Sequence, residues 1–495
     1  MTTDKFNLID EAWLPVLMKD GTCRRVSLRE VFDENGGGIA DLSLVAYERI
    51  SVMRFLICLA LAAFEEGELK DEAAWKAARG KLCPRVNTYL DKWHDRFNFF
   101  GEHAFMQPDG LTSSKPSGIE KLFPHRASGN NGTLFDHAVL SSEKNLMAED
   151  WPIGMLTYLN YAAGGQHPKC VWSGVETSVS VTAGPSREKS MVQTFTIGEL
   201  LAETVWLNLI TDQMVAQLPS PVLGRPFWEC ADLQRDTIKS PFGVNTLLGR
   251  LVPLSRVMKF LPECEQIPLG EGLKYVPLPE SREPMAAVYL KKGAKKDETV
   301  ETYVSASPEE MPWRNLQAVL SRSQHCGTLT LRHLDSLASD APERVISLWC
   351  GGLVGDQAKN VAVVEWRTAL QIGTITDYHL AIYQNGVDFA KEVSDNRIDS
   401  ASKAYCEAMK IDMKDPVKVD SVARPVRRLF WDALNRKQTI LQELAFAEKG
   451  RMDDWTDEVC KTAREAFKSA CPHATGRQLE AFAKGLAKLY FKKEN

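Results

Sequence analysis

The sequence is poor in the groupings that most enzymes and small secreted domains depend on. Its eleven cysteines are dispersed, and no two form a C-x-x-C pair. Zinc ribbons and fingers need such close pairs, so no structural zinc site is expected. A scattered, odd-numbered set in a long chain reads instead as reduced, buried thiols in a cytoplasmic protein. Histidine is scarce at nine residues, with no His-x-His and no H-E-x-x-H. The G-x-x-x-x-G-K-[ST] phosphate cradle and the G-x-S-x-G nucleophile turn are missing too. Gly270-Glu271-Gly272 lacks the third glycine of a dinucleotide fingerprint. His94-Asp95 is the one adjacent His-Asp pair, and two candidate ligands do not make a metal site. No catalytic residue, metal or cofactor is expected. The alternative is a cytosolic metal-dependent hydrolase or nuclease whose site assembles from distant residues.

Long hydrophobic runs are also absent. The longest, Phe55 to Phe64, has ten residues with Arg54 just before it. A membrane span needs about 20, so this run predicts a core helix. The opening Met1-Thr2-Thr3-Asp4-Lys5-Phe6 has no basic-then-apolar signal pattern. Positive charge is not in excess: the formal net charge of the 495 residues is -5. Contact with nucleic acid would therefore rest on local patches, or on an assembly whose other members supply basic surface. At 44% hydrophobic and 25% charged, the composition is that of an ordinary globular chain able to bury a full core.

In chain order, residues 6–18 predict a strand ending in a turn, and Val26–Phe32 a short helix. Val45–Glu66 is helical and apolar. Asp71–Phe100 is helical and mixed, with Pro84 expected to kink or split it. The stretch 108–190 is the least regular and holds two loops. One is small and polar, Ala127–Thr133, and leads into Leu134-Phe135-Asp136-His137. The other is a Gly loop, Gly164-Gly165-Gln166-His167, that follows an apolar helix from Trp151 to Tyr161. Phe195–Leu209 predicts a strand entering a helix. Residues 250–305 read as β-rich, with a basic hairpin tip at Lys291–Lys296. Past residue 374 come amphipathic stretches at Val387–Met409, Val417–Phe446, Trp455–Ser469 and Arg477–Lys492. The fold class is thus α+β. A large mixed domain with irregular loops (1–373) precedes a C-terminal antiparallel four-helix bundle (374–495).

Near the end of the first domain lies Cys350-Gly351-Gly352-Leu353-Val354-Gly355-Asp356-Gln357. It separates two β-like runs, and its glycines predict a hairpin turn with Asp356 and Gln357 at the apex. Taken alone, such a tip is either a solvated β-turn or a rigid wedge that presents glutamine to something flat, such as base pairs.

The wedge resembles that of the CasA family, the large subunit of the type I-E CRISPR surveillance complex Cascade. Two further motifs are similar: the opening Ile9-Asp10-x-x-Trp13-Leu14-Pro15-Val16 and the box His103-Ala104-Phe105-Met106-Gln107. No ligand partner stands three or four residues from His103, so the residue itself predicts packing. The order polar loop, helix, Gly loop also matches the family.

The resemblance implies a non-catalytic DNA-binding subunit that reads a short motif beside the target in duplex DNA and starts strand separation. Its partners would be the CRISPR-RNA ribonucleoprotein backbone, the small subunits, double-stranded target DNA and a recruited helicase–nuclease, with no membrane. The DNA-contacting residues carried over are Phe135, Asp136, His137, Gly164, Gly165, Lys274 and Gln357. The chain departs from the family at Asp136 and His137, and His167 stands where a further glycine is expected. Region 374–495 holds 21 Lys+Arg and 19 Asp+Glu, an excess of +2. Any strand binding there must come from patches such as Arg424, Arg427 and Arg428.

Overall fold

The computed structural model describes residues 6–34, 37–124, 147–235, 243–262, 264–295, 298–323, 326–356, 359–447, 449 and 451–490. The chain divides into two compact units. One is Met1–Pro312 with Ala318–Leu370; the other is Trp313–Gln317 with Gln371–Asn495. The first mixes helices and short strands, and the second is helical.

The first unit is built around the helix Ala46–Ala63, which is buried without interruption from Arg49 to Leu61. A helix apolar on every side belongs inside a core, not at its edge. Burial also takes in Arg49 and Arg54, and both are neutralised. Arg49 pairs with Asp41, and Arg54 Nη1 meets Glu283 Oε2 at 2.6 Å. Arg250 Nη2 meets the other oxygen of Glu283 at 2.7 Å. The two guanidiniums hold the Glu283 carboxyl below its ordinary range against the opposing effect of burial.

Local chemistry fixes the flanking elements. The strand predicted in residues 6–18 is Leu14–Met18, central in a sheet between Cys23–Val26 and Ile39–Leu42. The helix expected from Val26 is Leu28–Val31, because Ser27 and Glu30 form a capping box. The mixed stretch splits into helices Glu72–Ala78 and Leu82–Lys92. Pro84 lies in the first turn of the second helix, where its missing N–H costs nothing. Trp75 and Trp206 stack at 4.6 Å, and each indole N–H donates to the other residue's carbonyl, at 3.0 and 2.8 Å.

The box at 103–107 is a lock rather than a ligand set. Gln107 is buried; its amide donates to Phe99 O at 2.7 Å and accepts from Phe260 N at 2.9 Å. Phe105 stacks on Phe97 at 5.2 Å. His103 corrects the expectation of packing: its side chain is 60% exposed, with Nδ1 2.9 Å from Asp109. The cysteines are free, and Cys23 is exposed where burial was expected.

The second unit contains the helices Asp377–Glu392, Asp399–Met409, Pro416–Ala445, Asp453–Ala470 and Gly476–Ala487. A π-turn, Val393–Ile398, joins the first two. The first begins ten residues before the expected Val387. Gly386 explains its packing, since a Cβ there would stand 2.3 Å from Leu441 Cδ1. In the long helix, Ala423, Val426, Phe430, Leu434, Leu441 and Ala445 form the buried stripe. Arg314 lies 3.5 Å over the Trp431 ring. Among the described residues no helix is long and apolar enough to cross a membrane.

Candidate nucleic-acid interface

The predicted hairpin is formed by the strands Val345–Asp356 and Lys359–Gln371, neighbours in a sheet of order Lys359–Gln371, Val345–Asp356, Gln193–Ile197. Burial falls off along the first strand, from Cys350 and Leu353 inside to an exposed Asp356. Residues 357–358, Gln357 among them, come between these strands in sequence and lie outside the described residues.

Gly351, Gly352 and Gly355 are not the turn, contrary to expectation. All three lie in the strand, where they admit close neighbours. A Cβ on Gly351 would stand 2.4 Å from the Trp349 ring, and one on Gly352 2.8 Å from Met191 O. On Gly355 it would stand 2.9 Å from the Arg187 guanidinium. Real Cβ atoms do not approach so closely, so Gly351 and Gly352 are required where a rigid ring and backbone oppose them, and Gly355 leaves room for the Arg187 guanidinium.

Arg187 organises the region. It is buried, and burial lowers its pKa from the ordinary guanidinium value. Nη1 donates to Asn360 Oδ1 at 2.6 Å and to Tyr161 O at 3.4 Å; Nη2 donates to Lys359 O at 2.8 Å. Tyr161 ends the helix that leads into the Gly loop, and Lys359 opens the second hairpin strand. One planar fork therefore ties the loop base to the hairpin neck. Ser190 adds a second tie, with Gly355 N donating to its Oγ at 2.9 Å. Asn360 Nδ2 donates to Pro124 O at 3.3 Å. Pro124 immediately precedes the stretch 125–146, which carries Phe135, Asp136 and His137 and lies outside the described residues.

The Gly loop is closed at both ends. Arg256 Nη2 donates to Ala163 O and to Thr182 O, both at 2.8 Å. Gly184 N donates to Ala162 O at 2.8 Å, and a Cβ at Gly184 would stand 2.4 Å from Asn160 O. Gly165 has φ +124, a conformation that disfavours a side chain. Gly165–Gln166 pairs antiparallel with Ser180–Val181. His167, 8% exposed, sits inside the loop. Burial first, then the nearby Arg256 and Lys121 charges, push its pKa down to about 3. It is neutral at physiological pH and packs as an uncharged ring.

Lys274 reaches this loop through Glu271. Arg256 and Glu271 are cross-strand partners in the sheet Arg256–Met258 with Leu269–Glu271. Glu271 is buried and accepts from Ser178 N at 3.1 Å. Its other oxygen is 3.8 Å from Lys274 Nζ, whose side chain is 67% exposed. Gly270 lets the loop lie flat, since a Cβ there would stand 2.9 Å from Cys170 Cβ.

Of the expected contact residues, Gly164, Gly165 and Lys274 are described, and Glu271 links Lys274 to the loop's return strand. The basic cluster of the second unit is partly neutralised. Arg427 pairs with Asp399 at 3.0 Å and Asp420 at 3.3 Å, whereas Arg428 is 83% exposed and 3.8 Å from Asp432. Among the described residues no group of three His, Cys, Asp or Glu side chains could hold a metal ion.

Sequence reasoning missed Arg187, Arg256 and Glu271. A lone arginine between loops looks like a surface residue. The signal for Glu271 was present in its flanking glycines: a Cβ at Gly272 would stand 2.1 Å from Leu254 O. A charge between two glycines marks tightly approached backbone.

Comparison with known proteins identifies the family. A family model described as CRISPR-associated protein Cse1 matches residues 7–466. CRISPR-associated protein CasA/Cse1 of Thermus thermophilus is 27% identical over 509 residues, covering 97% of this chain and 96% of that one. A crystal structure of Thermus thermophilus CasA gives a TM-score of 0.78 at 23% identity, over 98% of each chain. Thermobifida fusca Cse1 gives 0.77 at 18% identity, over 99% of each. A chain in a structure described as a CRISPR RNA-guided surveillance complex gives 0.74 at 18% identity, over 98% of this chain and 99% of that chain. The match over nearly the whole sequence shows that this chain belongs to the CRISPR-associated protein Cse1 family, the CasA proteins.

Proposed function

We propose that this chain is the non-catalytic large subunit of a cytoplasmic CRISPR-RNA-guided surveillance complex. It recognises the protospacer-adjacent motif in double-stranded DNA, initiates strand separation and R-loop formation, and helps recruit a helicase–nuclease for antiviral defence. The observation that carries the reading is the Arg187 fork, which joins the hairpin neck and the Gly-loop base in one piece.

That piece suits the chemistry of a duplex end. The minor groove offers mainly acceptors and a degenerate pattern, which backbone N–H groups and a lysine can read. Gly164 and Gly165 supply close backbone approach, and Lys274 supplies a donor. Phe135, Asp136 and His137 belong to the stretch that follows Pro124, whose carbonyl accepts from Asn360. Gln357 then enters the stack, at a cost of roughly a few kcal/mol per step. Guide pairing reads the remaining sequence. In the C-terminal unit, the π-turn makes Asp377–Met409 one continuous helical element. With the three helices after it, that makes an antiparallel four-helix bundle, and its exposed Arg428 faces the displaced strand or the small subunits.

Binding of the reconstituted complex to targets with randomised flanking bases tests this. We expect a strong preference for a short flanking motif, and Phe135→Ala is expected to flatten it by about tenfold, the equivalent of about 1.4 kcal/mol. A complex indifferent to the flanking bases would refute the reading.

A further inference from the structure

The chain beside the hairpin holds a strained pair of residues. Lys189 and Ser190 are consecutive left-handed residues, with φ of 49° and 50°. Non-glycine residues rarely adopt this conformation, and glycine would occupy either position more cheaply. The surroundings enforce it. Ala306 N donates to Ser190 O at 2.7 Å, Met191 N donates to Glu188 O at 3.0 Å, and Ser190 Oγ accepts from Gly355 N. Lys189 is thereby fixed one residue from the group that grips the first hairpin strand.

On the other side of the turn stands Lys359. Its carbonyl is held by Arg187, and so is the side chain of the next residue, Asn360. Both lysine side chains are exposed. Among the described residues neither forms a salt bridge. The nearby Glu188 is partly buried, and its carboxylate accepts from Leu278 N at 3.3 Å. The exposed Asp356 is the other acidic group at the turn, so the two lysines face two carboxylates there, one of them partly buried.

We propose that Lys189 and Lys359 form a phosphate clamp astride the hairpin, each engaging the backbone of the DNA duplex at the point where it opens. The proposal rests on the duplex-reading function proposed above and adds a role that is independent of base sequence. Phosphate contacts position a duplex without reading it. Two anchors beside a wedge would keep the fork seated while the bases part.

The test is the salt dependence of target binding by the reconstituted complex, with wild-type chain, Lys189→Ala, Lys359→Ala and the double variant. Each lost phosphate contact lowers the slope of log K against log salt by about 0.9. We expect about 0.9 for each single variant and about 1.8 for the double, with the order of preference among flanking motifs unchanged. Lys189→Arg and Lys359→Arg should keep the wild-type slope. If the double variant keeps the full slope while the wild type still discriminates flanking motifs, the clamp is refuted and motif reading stands. If the wild type shows no flanking preference, the broader reading fails instead.

Discussion

Replacing Arg187 by methionine is expected to reduce R-loop formation by at least tenfold while the chain still assembles with its partners. Methionine fills similar volume but leaves Tyr161 O, Lys359 O and Asn360 Oδ1 without the donor that now joins them. The bond to Tyr161 O is buried, where an acceptor left unsatisfied costs about 1–3 kcal/mol; the other two bonds are partly buried. The hairpin and the Gly loop would then move separately, and about 1.4 kcal/mol of lost coupling is already tenfold. Arg187→Lys is not expected to rescue, because one ammonium cannot reproduce the planar fork. R-loop rates measured beside an assembly assay check this; a variant that opens DNA at the wild-type rate would show that the fork is dispensable.

The second large effect concerns stability. Glu283→Gln removes the counter-charge of two buried guanidiniums, Arg54 and Arg250. Breaking a buried pair by removing one partner costs about 3–5 kcal/mol. Because the carboxyl is held below its ordinary value of 4.5, its contribution is fully present above that pH and is lost as pH falls through the lower folded-state value. Chemical denaturation at pH 7 should show the loss, and the gap between wild type and variant should narrow in acid. A loss below about 1 kcal/mol at pH 7 would mean that the guanidiniums find other acceptors.

How much of this was legible depends on whether a residue's role is local. The apolar run Phe55–Phe64 announced the central helix, because burial on every side needs no partner to be named. The two strands on either side of the 357–358 connection were legible from two β-like runs. The role of Gly351, Gly352 and Gly355 was not. Glycine in a turn and glycine beneath a neighbour look alike in sequence, and their neighbours Met191 and Arg187 arrive only on folding. Gly386 stands just before the expected helix start at Val387, yet it sits inside the helix, where it makes room for Leu441. His103 was expected to pack, but its neighbours Phe105 and Gln107 fill the core instead. Arg187, Arg256 and Glu271 act across more than 70 residues of chain, which no local pattern encodes.

The central claim is that the Gln357 turn parts the first base pairs of the target. The most direct measurement places a fluorescent base analogue at the first pair beside the flanking motif and follows its unstacking on mixing with the reconstituted complex. The wild-type complex should give a rapid rise, and the Gln357→Ala complex, equally assembled and still discriminating among flanking motifs, a rise at least tenfold slower. An alanine variant that unstacks the base as fast as the wild type would contradict the account.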